Sequence, residues 1–147
     1  MDKVIIGIDC GANGGIAVFR EGKTTCYRMP KDVHSIAKIL TENKGKIYIE
    51  KITMWRSDTK IGGKTFGIMK MMENYNMVIN VANMLQLPIQ ELSAKTWQKY
   101  YKGRSWETKT QRKARYKALA QRLYPEAKVT LWNADALLIM DFGRKIT

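Results

Sequence analysis

The stretch Ile5–Phe19, IIGIDCGANGGIAVF, sets two apolar, β-branched runs on either side of a connection rich in glycine. Such a pattern reads as two strands joined by a tight turn, so the chain commits to a sheet within its first twenty residues. It also places Asp9 at the end of the first strand. A carboxylate at the edge of an apolar element is costly to bury unless it is paired or bound to metal. Two uses fit that placement: holding a divalent cation, or opening a phosphate-binding hairpin.

Beyond the hairpin, residues 3 to 9 and 15 to 20 are the first two strands, and EGK at 21 to 23 turns the chain into a third, TTCYRMP. Asp32 is a suitable N-cap for a helix over 32 to 43, and KGKIYIEK follows as a fourth strand bearing Glu50. Gly62 and Gly63 read as flexible punctuation before a long helix over 66 to 87, which Pro88 ends. Apolar residues recur there at helical spacing from Ile68 through Met71, Tyr75, Val78 and Ala82 to Leu85, while Met77, Val81 and Met84 fall on nearly the opposite side. PIQEL is a fifth strand. A short helix from Ser93, a basic helix from Thr108 to Leu123 and a last helix, NADALLIMDF, complete the chain. The order βββαβα then βααα predicts a single α/β domain over residues 1–147, with a five-stranded mixed sheet whose first three strands are antiparallel, flanked by helices.

The charge narrows the partners. Lys and Arg number 26 against 13 Asp and Glu, a formal net charge of +13, which points to a polyanion, with nucleic acid the first choice. No run approaches the ~20 apolar residues of a membrane span, and MDKVIIG reads as a strand start with no cleavable signal, so a cytoplasmic protein without a membrane partner is expected. Cys10 and Cys26 lack metal or redox spacing and are expected reduced and buried. His34, the lone histidine, lies beside the apolar stripe of the first helix and reads as a solvated surface residue, which removes support from histidine-dependent chemistries.

Asp9, Glu50 and Asp135 each sit at the edge of an apolar element. Magnesium prefers hard oxygen ligands, and two such ions about 4 Å apart activate a water and stabilise the leaving oxygen in phosphodiester hydrolysis without histidine. With IYIEK, NADALLIM, SAKTWQK and TKTQRKARYKALAQRLYP in this order, the sequence resembles the RuvC family of Holliday junction resolvases, particularly phage-encoded members. The resemblance implies an RNase H-like fold and a homodimeric, magnesium-dependent endonuclease that nicks four-way DNA junctions, with Mn2+ able to substitute. It further implies that Asp9, Glu50 and Asp135 hold the metals and that Lys95 and Lys109 lie beside the scissile phosphate, Lys109 as part of the catalytic machinery. Bacterial members carry a further acidic residue where this chain has Trp132. Asp141 is the one candidate to replace it, but six residues along a helix turn its side chain about 240° from Asp135, which weighs against that role and leaves a fourth carboxylate open.

DNA contacts are expected from Lys109, Lys113 and Lys117, spaced i, i+4, i+8, and from Trp55 with Arg56 in the loop after Glu50, where Trp55 is the candidate wedge at a junction crossover. Tyr100, Tyr101 and Trp106 are candidate stacking residues, whereas Trp97 reads rather as core. Met77, Val81 and Met84 are the expected dimer contact. Forks and three-way junctions are also possible substrates. IGGKT at 61 to 65 ends like a Walker A loop, but the first glycine of that motif falls on Asp58, so the motif fails. A kinase-like or actin-like ATPase would need a second lobe and a second glycine-rich motif. A non-catalytic DNA-binding module accounts for the charge but leaves the three carboxylates unexplained.

Overall fold

The computed structural model describes residues 3–52, 63–103 and 105–147, with the backbone alone for 63–66. Trp55 and Arg56 lie outside the described residues. Strands β1 (Ile5–Asp9), β2 (Gly15–Arg20) and β3 (Lys23–Arg28) form the antiparallel meander, closed between β2 and β3 by Glu21 and Gly22 with φ of 49° and 78°. Two positive-φ residues between paired strands make the turn that matches their natural twist. Helix α1 (Val33–Glu42) starts where Asp32 accepts a hydrogen bond from the Ser35 N–H at 2.8 Å, and leads to β4 (Lys46–Glu50). Helix α2 (Gly63–Met84) precedes β5 (Ile89–Leu92). Strands β4 and β5 run parallel to β1, giving the order β3-β2-β1-β4-β5. This is the mixed α/β sheet expected from the sequence.

The remaining helices are α3 (Ala94–Tyr100), α4 (Lys109–Leu123) and α5 (Ala134–Ile146). Alternation along the strands divides two apolar layers. Ile6, Ile8, Ile47 and Ile49 pack with Ile36, Leu40, Val78, Val81 and Ala82 of α1 and α2, while Ile5 and Tyr48 pack with Trp97, Tyr116, Leu137 and Met140 of α3 to α5. Asp9 and Glu50 share the parity of Ile5 and Tyr48, so both carboxylates belong to the α5 face. Among the described residues no helix is long and apolar enough to cross a membrane. Both cysteines are free thiols, Cys10 buried and Cys26 partly exposed, and His34 is exposed.

Several sequence expectations need correction. Helix α2 begins at Gly63, so this glycine is helical instead of preceding the helix, and it ends at Met84 rather than at Pro88. Gln86 takes a left-handed φ of 56°, the Leu87 N–H reaches the Ala82 carbonyl at 2.9 Å and the Gln86 N–H reaches Asn83 at 3.1 Å. This pair of bonds closes the helix before the proline is reached. Val81, expected at a dimer contact, is 4% exposed and belongs to the core, and Met77 packs against the same cluster; Met84 alone of the three is open, at 83%. The long helix packs against α1 as well as the strand layer, and so buries a wider arc than a single stripe. Helix α5 continues four residues past Phe142.

Helix α5 is held in two ways. A Cβ on Gly7 would lie 2.4 Å from both the Ala136 carbonyl oxygen and the Met140 nitrogen, so glycine alone permits the helix to cross β1 this closely. At its far end Asp141 accepts hydrogen bonds from the Tyr101 hydroxyl, from the Tyr124 hydroxyl at 2.7 Å and from Lys145 at 2.6 Å. Burial alone would raise the Asp141 carboxyl, but these three donors outweigh it and hold it below its ordinary value. Asp141 is therefore a structural anchor, turned away from Asp135 as the helical rotation requires, and Tyr101 is consumed in the core instead of being free to stack on bases. Gly7→Ala should cost about 1–3 kcal/mol, measured by urea denaturation, because backbone atoms on both sides must shift to admit the methyl group.

Candidate active site

Parallel pairing of β1 with β4 matches Ile8 to Ile49, so Asp9 and Glu50, one residue further on, end neighbouring strands side by side. Asp135 lies in the first turn of α5, where the positive end of the helix dipole favours a carboxylate, and α5 crosses β1 just below. Asp9 and Asp135 line one cavity of about 690 Å³ together with Gly11, Asn13, Arg28, Met71, Lys113 and Trp132. Glu50 opens into an adjoining cleft with Lys51, Ser93 and Lys95, and Met71 borders both.

The three carboxylates act on one another. Burial, opposed by the Trp97 hydrogen bond and reinforced by the charges of Asp9 and Asp135, pushes Glu50 up to about 7. Burial and the Asp9 charge push Asp135 up to about 6, against the pull of Lys113 and Arg112. Asp9 is also raised by burial, with the Gly11 N–H at 3.1 Å and the Lys113 charge acting in the opposite direction. Negative charge is thus concentrated in a poorly solvated place with too little positive charge to balance it. Among the described residues no three histidine, cysteine or carboxylate side chains converge tightly enough to enclose one ion. In donor type and charge, however, the set fits a hard divalent cation, because such an ion would relieve the repulsion that raises Glu50 and Asp135.

Trp97 is fully buried, and its indole Nε1 donates to Glu50 Oε2 at 2.8 Å. Its ring packs against Tyr116 of α4, with centroids 5.5 Å apart. The core role expected for Trp97 is present, joined by an orienting contact to Glu50 that the sequence does not reveal. Of the basic residues, Lys113 lines the Asp9 cavity and Lys95 the Glu50 cleft, whereas Lys109 and Lys117 lie exposed one turn to either side of Lys113. Lys113 acts on both Asp9 and Asp135, and Arg112 on Asp135 as well. Tyr100 and Trp106 are exposed, at 54% and 70%. Arg28, which the sequence reading passes over, lies in the same cavity wall with its guanidinium carbon 5.0 Å from the centre of the Trp132 ring.

This architecture has a close counterpart among solved structures. The chain has the RuvC fold. It superposes on T. thermophilus RuvC in complex with Holliday junction substrate with a TM-score of 0.61 at 12% identity, covering 98% of this chain and 96% of that one. A second Thermus thermophilus RuvC structure gives a TM-score of 0.59 at 15% identity, covering 97% and 96%. No protein-family model and no curated protein sequence matches the chain.

Raised carboxyls give the metal-free protein a definite pH response. Folded Glu50 and Asp135 keep their protons up to about 7 and 6, against ordinary values of 4.5 and 3.8, so the folded state binds more protons than the unfolded one through that interval. Their contribution to stability is complete below about pH 4 and is lost as pH rises to about 7. In chelator, the melting temperature of Glu50→Gln should therefore exceed that of wild type at pH 8 and approach it at pH 5. Magnesium should raise the wild-type value at pH 8 and have less effect on the variant.

Proposed function

We propose that this protein is a metal-dependent, structure-specific DNA endonuclease that resolves four-way junctions or related branched DNA by nicking. The observation that carries the reading is the mutually repelling set Asp9, Glu50 and Asp135 at the strand ends of a RuvC fold, bordered by Lys95 and Lys113 in a chain of net charge +13. A RuvC protein of this fold has been observed with a Holliday junction substrate, which favours branched DNA over linear duplex as the ligand.

Asp9, Glu50 and Asp135 would hold magnesium, or manganese in its place, and the bound metal would supply Lewis acidity and an activated water for hydrolysis. The Gly11 N–H fixes Asp9 through one oxygen, and the Trp97 indole fixes Glu50 through one oxygen, leaving each carboxylate a second oxygen. Lys113 offsets part of their charge and supports an incoming phosphate. Lys95 attracts the backbone on the Glu50 side, and Lys109 and Lys117 extend the positive face of α4 along the DNA. In the reaction a water oxygen bonds to phosphorus while the bond from phosphorus to the leaving sugar oxygen breaks.

Paired nicks call for two active sites related by a two-fold axis, and we assign that contact to α2 of two copies. Since Val81 is buried in the core and Met77 is partly buried against it, the contact is reassigned to Met69 and Met84, which are 63% and 83% exposed and within about 60° of each other around the helix. Met69→Lys with Met84→Lys should give a folded monomer that no longer makes both nicks in one encounter, as checked by light scattering and by cleavage of a junction in supercoiled DNA. A monomeric wild type at tens of micromolar would refute the contact.

Cleavage of synthetic four-way, three-way and linear DNA, with magnesium or with chelator, tests the activity itself. Asp9→Asn, Glu50→Gln and Asp135→Asn should each abolish nicking while junction binding in gel shifts is retained or tightened. Binding should weaken steeply as salt rises, through release of counterions from the DNA. Equal affinity for linear and branched DNA without magnesium-dependent nicking would instead identify a DNA-binding module.

A further inference from the structure

Trp132, two residues before α5, lines the cavity of Asp9 and Asp135, and its surroundings give it a definite task. Strand pairing sets Gly15 of β2 opposite Arg28 of β3. A Cβ on Gly15 would lie 2.9 Å from Trp132 Cζ3, so the indole rests directly on the bare backbone of that glycine. Arg28 extends from the facing strand over the same indole, 5.0 Å from its centre, a distance suited to attraction between a cation and an aromatic face. Both side chains line the cavity that holds Asp9, Asp135 and Lys113. Among the described residues Arg28 makes no salt bridge. An arginine is therefore steadied by a ring, without an acidic partner among the described residues, and presented to the same cavity as two carboxylates and a lysine.

We propose that Arg28 binds the phosphate undergoing hydrolysis, with Trp132 as the positioning residue that holds its guanidinium in the cavity. The inference rests on the nuclease reading above. A planar guanidinium grips two phosphate oxygens at once, and it favours the transition state, in which negative charge on those oxygens rises. Arg28 and Lys113 then face the phosphate as a pair, while Asp9 and Asp135 remain for the attacking side.

The test is single-turnover nicking of a synthetic four-way junction with magnesium, together with junction affinity and melting temperature for each variant. Arg28→Met should lower the nicking rate roughly 100-fold, in the range seen for loss of one transition-state donor, while junction affinity falls less than tenfold and the melting temperature stays put. Arg28→Lys, which keeps charge but loses the fork, should fall between the two. Millimolar guanidinium should restore part of the rate to Arg28→Ala and none to wild type. Trp132→Leu should lose about as much rate as Arg28→Met, Trp132→Phe should stay within a few-fold of wild type, and the double variant Arg28→Met with Trp132→Leu should be no slower than either alone, as expected when one side chain acts through the other. A wild-type protein that nicks while Arg28→Met nicks within threefold of it overturns this inference alone. A wild-type protein that nicks no branched DNA overturns the nuclease reading and this inference together.

Discussion

Helix α5 lies against β1 at backbone distance, and the arrangement of the site follows from that single contact. With no side chain at Gly7, the Ala136 carbonyl and the Met140 nitrogen approach the strand closely enough to leave no room for a methyl group. Asp135 precedes Ala136 by one residue, so its height above Asp9 is set by the same crossing. The hydrogen bonds of Tyr101 and Tyr124 to Asp141 tie the other end of the helix to the segments that follow α3 and α4, while Lys145, on α5 itself, adds charge balance to the carboxylate. A buried aspartate with three donors is one of the few ways to anchor an apolar helix in direction as well as in depth.

The site works against the fold that supports it. Three carboxylates are gathered at the ends of apolar elements where solvent is scarce, and two of them hold protons well above their ordinary range as a result. Compensation comes from rigid parts: the Gly11 N–H on Asp9, the Trp97 indole on Glu50, and the Lys113 charge on α4. Trp97 joins this set to the basic helix, since its ring lies between Glu50 and Tyr116. Two aromatic rings thus connect Glu50 to the core side of the helix that carries Lys113.

Much of this was legible in the sequence because strand periodicity is local. The βββαβα order, the cap at Asp32 and the carboxylates at element edges all follow from residues a few positions apart. Helix α2 was harder: its apolar residues cover a broad arc, and whether Val81 faces the sheet depends on how the helix lies, which its own pattern does not encode. Its end was misplaced because Gln86 adopts a conformation more often taken by glycine, ahead of the more conspicuous Pro88. Arg28 could have been found by counting. With Glu21 and Gly22 as a two-residue turn, the partner of Gly15 across the hairpin is Arg28, a cation beside the glycine-rich connection. The link from Trp97 to Glu50 joins elements 47 residues apart and leaves no local trace.

Gly15, Arg28 and Trp132 also bear on how such a site can change over time. The indole fills the space that a side chain at position 15 would need, and the arginine leans on the indole. Replacing Trp132 by a smaller acid would open a void over the glycine and leave the guanidinium without its support. Adding a side chain at position 15 would first collide with the ring. The three positions are scattered over more than a hundred residues of chain, yet each sets the fitness of substitutions at the other two. A lineage that reaches this arrangement meets a barrier to leaving it one mutation at a time, so the tryptophan is entrenched by its neighbours.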